Sequence, residues 1–312
     1  MNRPNLDIEY PESGPRINPS QWHTPLHKYL ADPNPIIFTN PRYSDRYFLY
    51  CTEDGFDNWG STTFHVYTSN DLVDWTDHGV ILDLKDVPWG HEGAWAPTIL
   101  ERGNRYYFYF NCKGQVGAAV ADSPYGPFVS SDRPIVADGD FPGYHIDPSI
   151  YSEDGIDWLL WGNGTAYAAP IADDGMRIDR ERVVSWTPEN FREAMWVFRR
   201  GDTYYASWSE NDAREPEYCV HYATAPSFTG PWTEGGTLIE QNPSIGIVGT
   251  AHHGILHIPN TDEWILAYHL FDGEHGNGYC REIKFAPLAF RPDGTIEQVT
   301  PVEEDYRRPF PR

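Results

Sequence analysis

Basic residues are scarce in this chain. Lys and Arg number 23 against 46 Asp and Glu in 312 residues, a formal charge of −23 with His neutral. A surface this acidic cannot neutralise a phosphate backbone, which excludes nucleic acid as a partner, and it does not dock on an anionic membrane. Long apolar runs are missing too. No stretch reaches the roughly 18 apolar residues of a spanning helix. The opening MNRPNLDIEYPESGPRINPSQW has no apolar signal core, so a cytoplasmic location is expected. The four cysteines, Cys51, Cys112, Cys219 and Cys280, form neither a CxxC pair nor a zinc spacing, and read as reduced, buried thiols. His91-Glu92-Gly93 lacks the second histidine of a zinc-protease helix. No glycine-rich nucleotide loop occurs, and no Ser or Cys sits in a nucleophile motif.

Aromatics, by contrast, are abundant: 20 Tyr, 15 Phe and 12 Trp, with 27 Gly and 27 Pro. Many aromatics among many turn-formers indicate an all-β chain of short strands. Five aromatic runs recur: RYFLYC, RYYFYFN, DWLLWGN, TYYASWS and EWILAYH. Aligned on Tyr47, Tyr106, Trp158, Tyr204 and Trp264 they are spaced by 59, 52, 46 and 60 residues. A short strand-like run precedes each across a turn, so every unit opens with a hairpin. Trp75, Phe128 and Trp232 mark a further turn-and-strand place in three of the units. About four strands in about 50 residues is the size of a propeller blade. The expected fold is therefore all-β: one five-bladed β-propeller over residues 28–300, with an extended lead-in at 1–27 and a tail at 301–312.

In a propeller the first strand of each blade lines the central channel, and equivalent positions meet at one mouth. Counting back from the aromatic markers, those positions hold Asp32, Ala96 beside Trp95, Asp147, Glu193 and His252. Three carboxyls at one mouth repel, so they cannot all ionise normally. One acid held protonated and another held anionic is the division of labour that glycoside hydrolysis requires. Trp59, Trp89, Trp95, Trp161 and Trp196 are candidate faces for sugar rings, Trp95 foremost because it adjoins a channel position.

The motifs ADPNP at 31–35, WAP at 95–97, HIDPSIY at 145–151, REAMWVFRRGDTYYASWS at 192–209 and GTAHHGIL at 249–256 resemble glycoside hydrolase family 43. The later YCREIKFAPLAF resembles that family's last blade. The likeness implies an inverting hydrolase. Asp32 matches the general base, Glu193 the general acid, and Asp147 the acid that tunes and orients Glu193. His252 matches a channel histidine that faces a metal ion or its waters, and Arg281 an arginine touching sugar hydroxyls. No cofactor is required; a structural calcium in the channel, met by His252 through water, is the ion the resemblance allows. Where the family commonly has Gly-Pro after the acid, this chain has Ala194 and Met195. The expected substrate is a plant-derived oligosaccharide, and the expected product L-arabinofuranose. Family β-xylosidases usually carry a second domain for which this chain has no room, which places β-xylosidase second; endo-arabinanase or galactanase action is a further alternative. A non-catalytic carbohydrate-binding propeller and a glycoside phosphorylase are the readings from other classes.

Overall fold

A computed structural model describes residues 28–272 and 276–311; the predicted lead-in at 1–27 lies outside them. Among the described residues nineteen strands form five antiparallel sheets in sequence order. The first holds β1 (Leu30–Ile36), β2 (Tyr47–Glu53), β3 (Thr63–Ser69) and β4 (Trp75–Asp83). The second holds β5 (Ala94–Arg102), β6 (Arg105–Cys112), β7 (Val116–Ala121) and β8 (Val129–Ser130). The third holds β9 (Ser149–Glu153), β10 (Ile156–Trp161), β11 (Tyr167–Pro170) and β12 (Val184–Ser185). The fourth holds β13 (Glu193–Arg200), β14 (Thr203–Glu210), β15 (Cys219–Ala225) and β16 (Thr233–Ile239). The last has three strands, not the expected four: β17 (Ala251–His257), β18 (Trp264–Phe271) and β19 (Arg281–Leu288). The innermost strands touch in the cycle β1, β5, β9, β13, β17 and back to β1, which closes the five-bladed propeller.

The aromatic runs have a direct cause. Each second strand lies between two neighbouring blades and is buried on both faces, so successive side chains enter different cores. On β6, Tyr106, Phe108 and Phe110 pack towards the first blade, while Tyr107 and Tyr109 pack towards the third. On β14, Tyr204, Ala206 and Trp208 face the third blade and Tyr205 the fifth. Five apolar cores result, one at each junction between blades. All four cysteines are free, three of them buried and Cys280 half-buried.

The tail is tied down. Val299 donates its N–H to Leu238 O on the fourth blade, Lys284 on β19 meets Asp305, and Arg308 N and Phe310 N bond to Asp71 O and Asn70 O on the first. Tyr306 and Phe310 pack on the core between blades five and one. The segment thus crosses the seam where the ring closes.

Candidate active site

The site begins with a break in four of the five inner strands. The ladder skips between Ala31 and Asn34, Trp95 and Thr98, Glu193 and Trp196, and Ala251 and Gly254. At each bulge, and just before β9, one non-glycine residue is left-handed: Asp32 (φ 54°), Ala96 (40°), Asp147 (59°), Ala194 (59°) and His252 (42°). Such a backbone costs about 1–2 kcal/mol per residue, so the packing of the ring must impose it. In three blades the next residue is Pro33, Pro97 or Pro148, which has no N–H to leave unpaired inside the bulge. These residues line an axial cavity of about 20 Å³, room for roughly one water.

The register corrects the sequence alignment. Ala194, not Glu193, is the fourth member of the left-handed ring. Glu193 lies one residue earlier and pairs with Ser209 as Trp95 pairs with Asn111. In the third blade Gly162 N bonds to Ile146 O, which puts the aromatic marker one residue out of phase: Asp157, not Trp158, is the equivalent of Tyr47.

Outside the left-handed ring stands a second ring, from the second strands: Thr52, Asn111, Ser209 and His269, all fully buried, with Gly162 in the remaining place. Three of the four hold a bulge of the following blade by its backbone N–H. Ala96 N donates to Thr52 Oγ1 at 2.7 Å, His252 N to Ser209 Oγ at 3.1 Å and Asp32 N to His269 Nδ1 at 3.3 Å. Asn111 instead donates to His145 O at 2.9 Å. Gly162 has no side chain to offer, and Ala194 N–H faces the Asp147 carboxyl instead.

Asp32 is surrounded by donors. Thr52 donates to Oδ2 at 2.6 Å and Arg281 Nη1 to Oδ1 at 3.1 Å; His252 Nδ1 stands 3.2 Å from Oδ1. Burial pushes this carboxyl up, but the adjoining Arg281 cation outweighs it and holds it well below the usual carboxylate range. Asp54 grips the other edge of Arg281 through Nε (2.5 Å) and Nη2 (2.8 Å). Because side chains alternate on β2, Thr52 aims inward while Glu53 joins an outer cluster with Lys28 and His65.

Asp147 has the opposite surroundings. Its Oδ2 is buried without a hydrogen-bond partner, 3.8 Å from His252 Nδ1. Burial, then the Glu193 and Asp32 charges, push Asp147 well above the usual range, so it keeps its proton. Glu193 accepts from Tyr218 OH on Oε1 at 2.7 Å and from Asn163 Nδ2 on Oε2 at 2.6 Å. Arg192 Nε lies 3.9 Å from Oε2. Asp32, Asp147, Glu193, His252 and Arg281 are thus brought together, as the sequence suggested. Thr52, Asp54, Asn163 and Tyr218 were missed. Asn163 opens a glycosylation-type triplet, and its side chain bonds to Glu193.

The tryptophans divide. Trp95 is half-buried beside the mouth, its ring N–H on Trp59 O at 2.6 Å and its edge against Trp59, which tilts on Tyr279. Trp196 lines the axial cavity. Trp89 stacks on Phe110 within the second blade. Trp161 corrects the expectation of a sugar-binding face: it is 0% exposed and stacks on Tyr167 between blades two and three.

Calcium takes six to eight oxygens. The oxygens beside His252 belong to Asp32, which is already bonded to Thr52 and Arg281, and to the protonated Asp147. Among the described residues no group of three or more His, Cys, Asp or Glu side chains could hold a metal, so direct ligation does not fit. Burial lowers His252, and holds His253 and His269 down to about 3, so these hub histidines are neutral near pH 7.

Residues 30–296 match the family described as Glycosyl hydrolases family 43. The "Xylosidase/arabinosidase" of Bacteroides ovatus is 27% identical, over 86% of this chain and 94% of its own. The "Xylosidase/arabinosidase 43A" of Humicola insolens is 28% identical, over 86% and 96%. Among solved structures, the GH43_1 enzyme from Xanthomonas citri complexed with xylotriose superposes with a TM-score of 0.74, at 28% identity over 88% of this chain and 91% of that one. Both relatives match nearly end to end and carry both sugars in their names, so chain length does not separate xylosidase from arabinofuranosidase.

Proposed function

The chain belongs to glycosyl hydrolase family 43 and is a glycoside hydrolase, and from that premise we propose an inverting, exo-acting enzyme that releases terminal L-arabinofuranose from plant-derived arabino- or arabinoxylo-oligosaccharides. β-D-xylose is the second reading. It is favoured by the names of the two relatives and by the xylotriose held in the Xanthomonas citri structure.

The observation that carries the mechanism is the unequal treatment of converging carboxyls. Asp32, lowered by Arg281 against its own burial, is anionic and serves as the base that takes a proton from water. Asp147, buried between the other two carboxyls, stays neutral and leaves the anionic role to Asp32. Glu193, held at both oxygens, protonates the leaving oxygen from the other side. Arg281, fixed by Asp54, holds its cation rigidly against Asp32.

The test is turnover of 4-nitrophenyl α-L-arabinofuranoside and β-D-xyloside, with and without phosphate, followed by proton NMR of the first-formed sugar. Release without phosphate and an inverted first anomer are expected. A retained anomer overturns inversion. Phosphate dependence overturns hydrolysis in favour of phosphorolysis.

A further inference from the structure

Two carboxyls at the mouth are held by hydroxyls, and the direction of each hydroxyl is set from another blade. Thr52 Oγ1 accepts the N–H of Ala96 at 2.7 Å. Its single proton is therefore free for Asp32 Oδ2, 2.6 Å away. The fourth blade repeats the scheme with one more link. Ser209 Oγ accepts the N–H of His252 at 3.1 Å and neighbours the Tyr218 hydroxyl, which donates to Glu193 Oε1 at 2.7 Å. Tyr218 is fully buried, with its ring along His269 at 5.8 Å, so it has little freedom to turn away.

We propose that Thr52 and the pair Ser209–Tyr218 are positioning residues for the base and the acid: two one-way hydrogen-bond relays, each started by the backbone N–H of a left-handed residue in the following blade. This rests on the roles given above to Asp32 and Glu193. A backbone N–H can only donate, so it occupies one lone pair of each hydroxyl and favours sending the hydroxyl proton on towards the carboxyl. Asp32 always receives a proton in its hydrogen bond with Thr52, and so is kept ready to accept one from water. Glu193 receives one on Oε1 from Tyr218 and one on Oε2 from Asn163, so the plane of its carboxyl is fixed towards the leaving group. The two relays serve opposite halves of the reaction, so their loss is readable separately.

The experiment compares kcat/KM on two glycosides of the same pentose, one with a dinitrophenyl leaving group and one with an alkyl leaving group. Only the alkyl glycoside needs protonation. Tyr218→Phe keeps the ring and removes the donor. It is expected to cost about tenfold more on the alkyl than on the dinitrophenyl substrate. Ser209→Ala is expected to shift the same ratio less, and it carries the test should Tyr218→Phe fail to fold. Thr52→Val is expected to lower both substrates by the same factor, and Thr52→Ser to recover them. Glu193→Gln is the reference for the acid. If Glu193→Gln separates the substrates while Tyr218→Phe and Ser209→Ala lower both equally, the acid relay is overturned. If Thr52→Val leaves both rates unchanged, the base relay is overturned. If Glu193→Gln itself does not separate them, the role of Glu193 as acid fails, which is a different result.

Discussion

Asp147 shows what a buried acid costs. Its folded value lies well above the ordinary one, driven first by burial and then by Glu193 and Asp32. Below about pH 4 the carboxyl is protonated in both folded and unfolded chains and contributes nothing. Above that, the unfolded chain loses its proton while the folded one keeps it, so stability falls as pH rises towards the folded value. Asp147→Asn removes this cost. The variant is expected to melt above the wild type by a margin that grows from about pH 4 to pH 7, while activity falls. A margin independent of pH, read by thermal melts across that range, contradicts it. Asp32, Asp147 and His252 were legible because they repeat. Thr52, Ser209 and His269 repeat as well, each a polar residue five places after the hairpin aromatic, but an aromatic run draws attention to its apolar members. Asn163 and Tyr218 belong to loops, where no period operates.

At the level of elements, the strands were legible from the aromatic runs and the turns between them, and the left-handed bulges were not. The hairpin turns differ in length, so the distance from bulge to aromatic marker varies between blades, and Glu193 was aligned with a ring that Ala194 occupies. Gly162 is the most exacting of the second-strand positions. Its φ is +132°, and a Cβ there would run into the backbone oxygen of Thr165. Gly162→Ala is expected to lose about 3 kcal/mol or more in urea unfolding. Gly164 also has a positive φ of +70° but faces open space, so Gly164→Ala is expected to lose only about 1 kcal/mol. Equal losses from the two would show that the approach of Thr165 is not what demands glycine. The place of the missing fourth strand in the last blade was likewise hidden, because strand count depends on how the ring closes.

For the whole molecule, the period of about fifty residues announced five blades, and their number needed no knowledge of any contact. The closure did need it. The C-terminal segment ties blades four, five and one through backbone bonds and through Tyr306 and Phe310. Removing residues 306–312 is expected to lower stability by about 3 kcal/mol, from apolar burial, with activity at 25 °C nearly unchanged. An unaltered melting temperature refutes the strap. A rotor built from near-identical sheets has no front or back around its hub, yet splitting a bond between two unlike partners needs one. Gly162 supplies it. A single vacant seat among otherwise occupied ones sends the amide of Ala194 to Asp147, and a figure with fivefold regularity acquires a sense of direction from what one member leaves out.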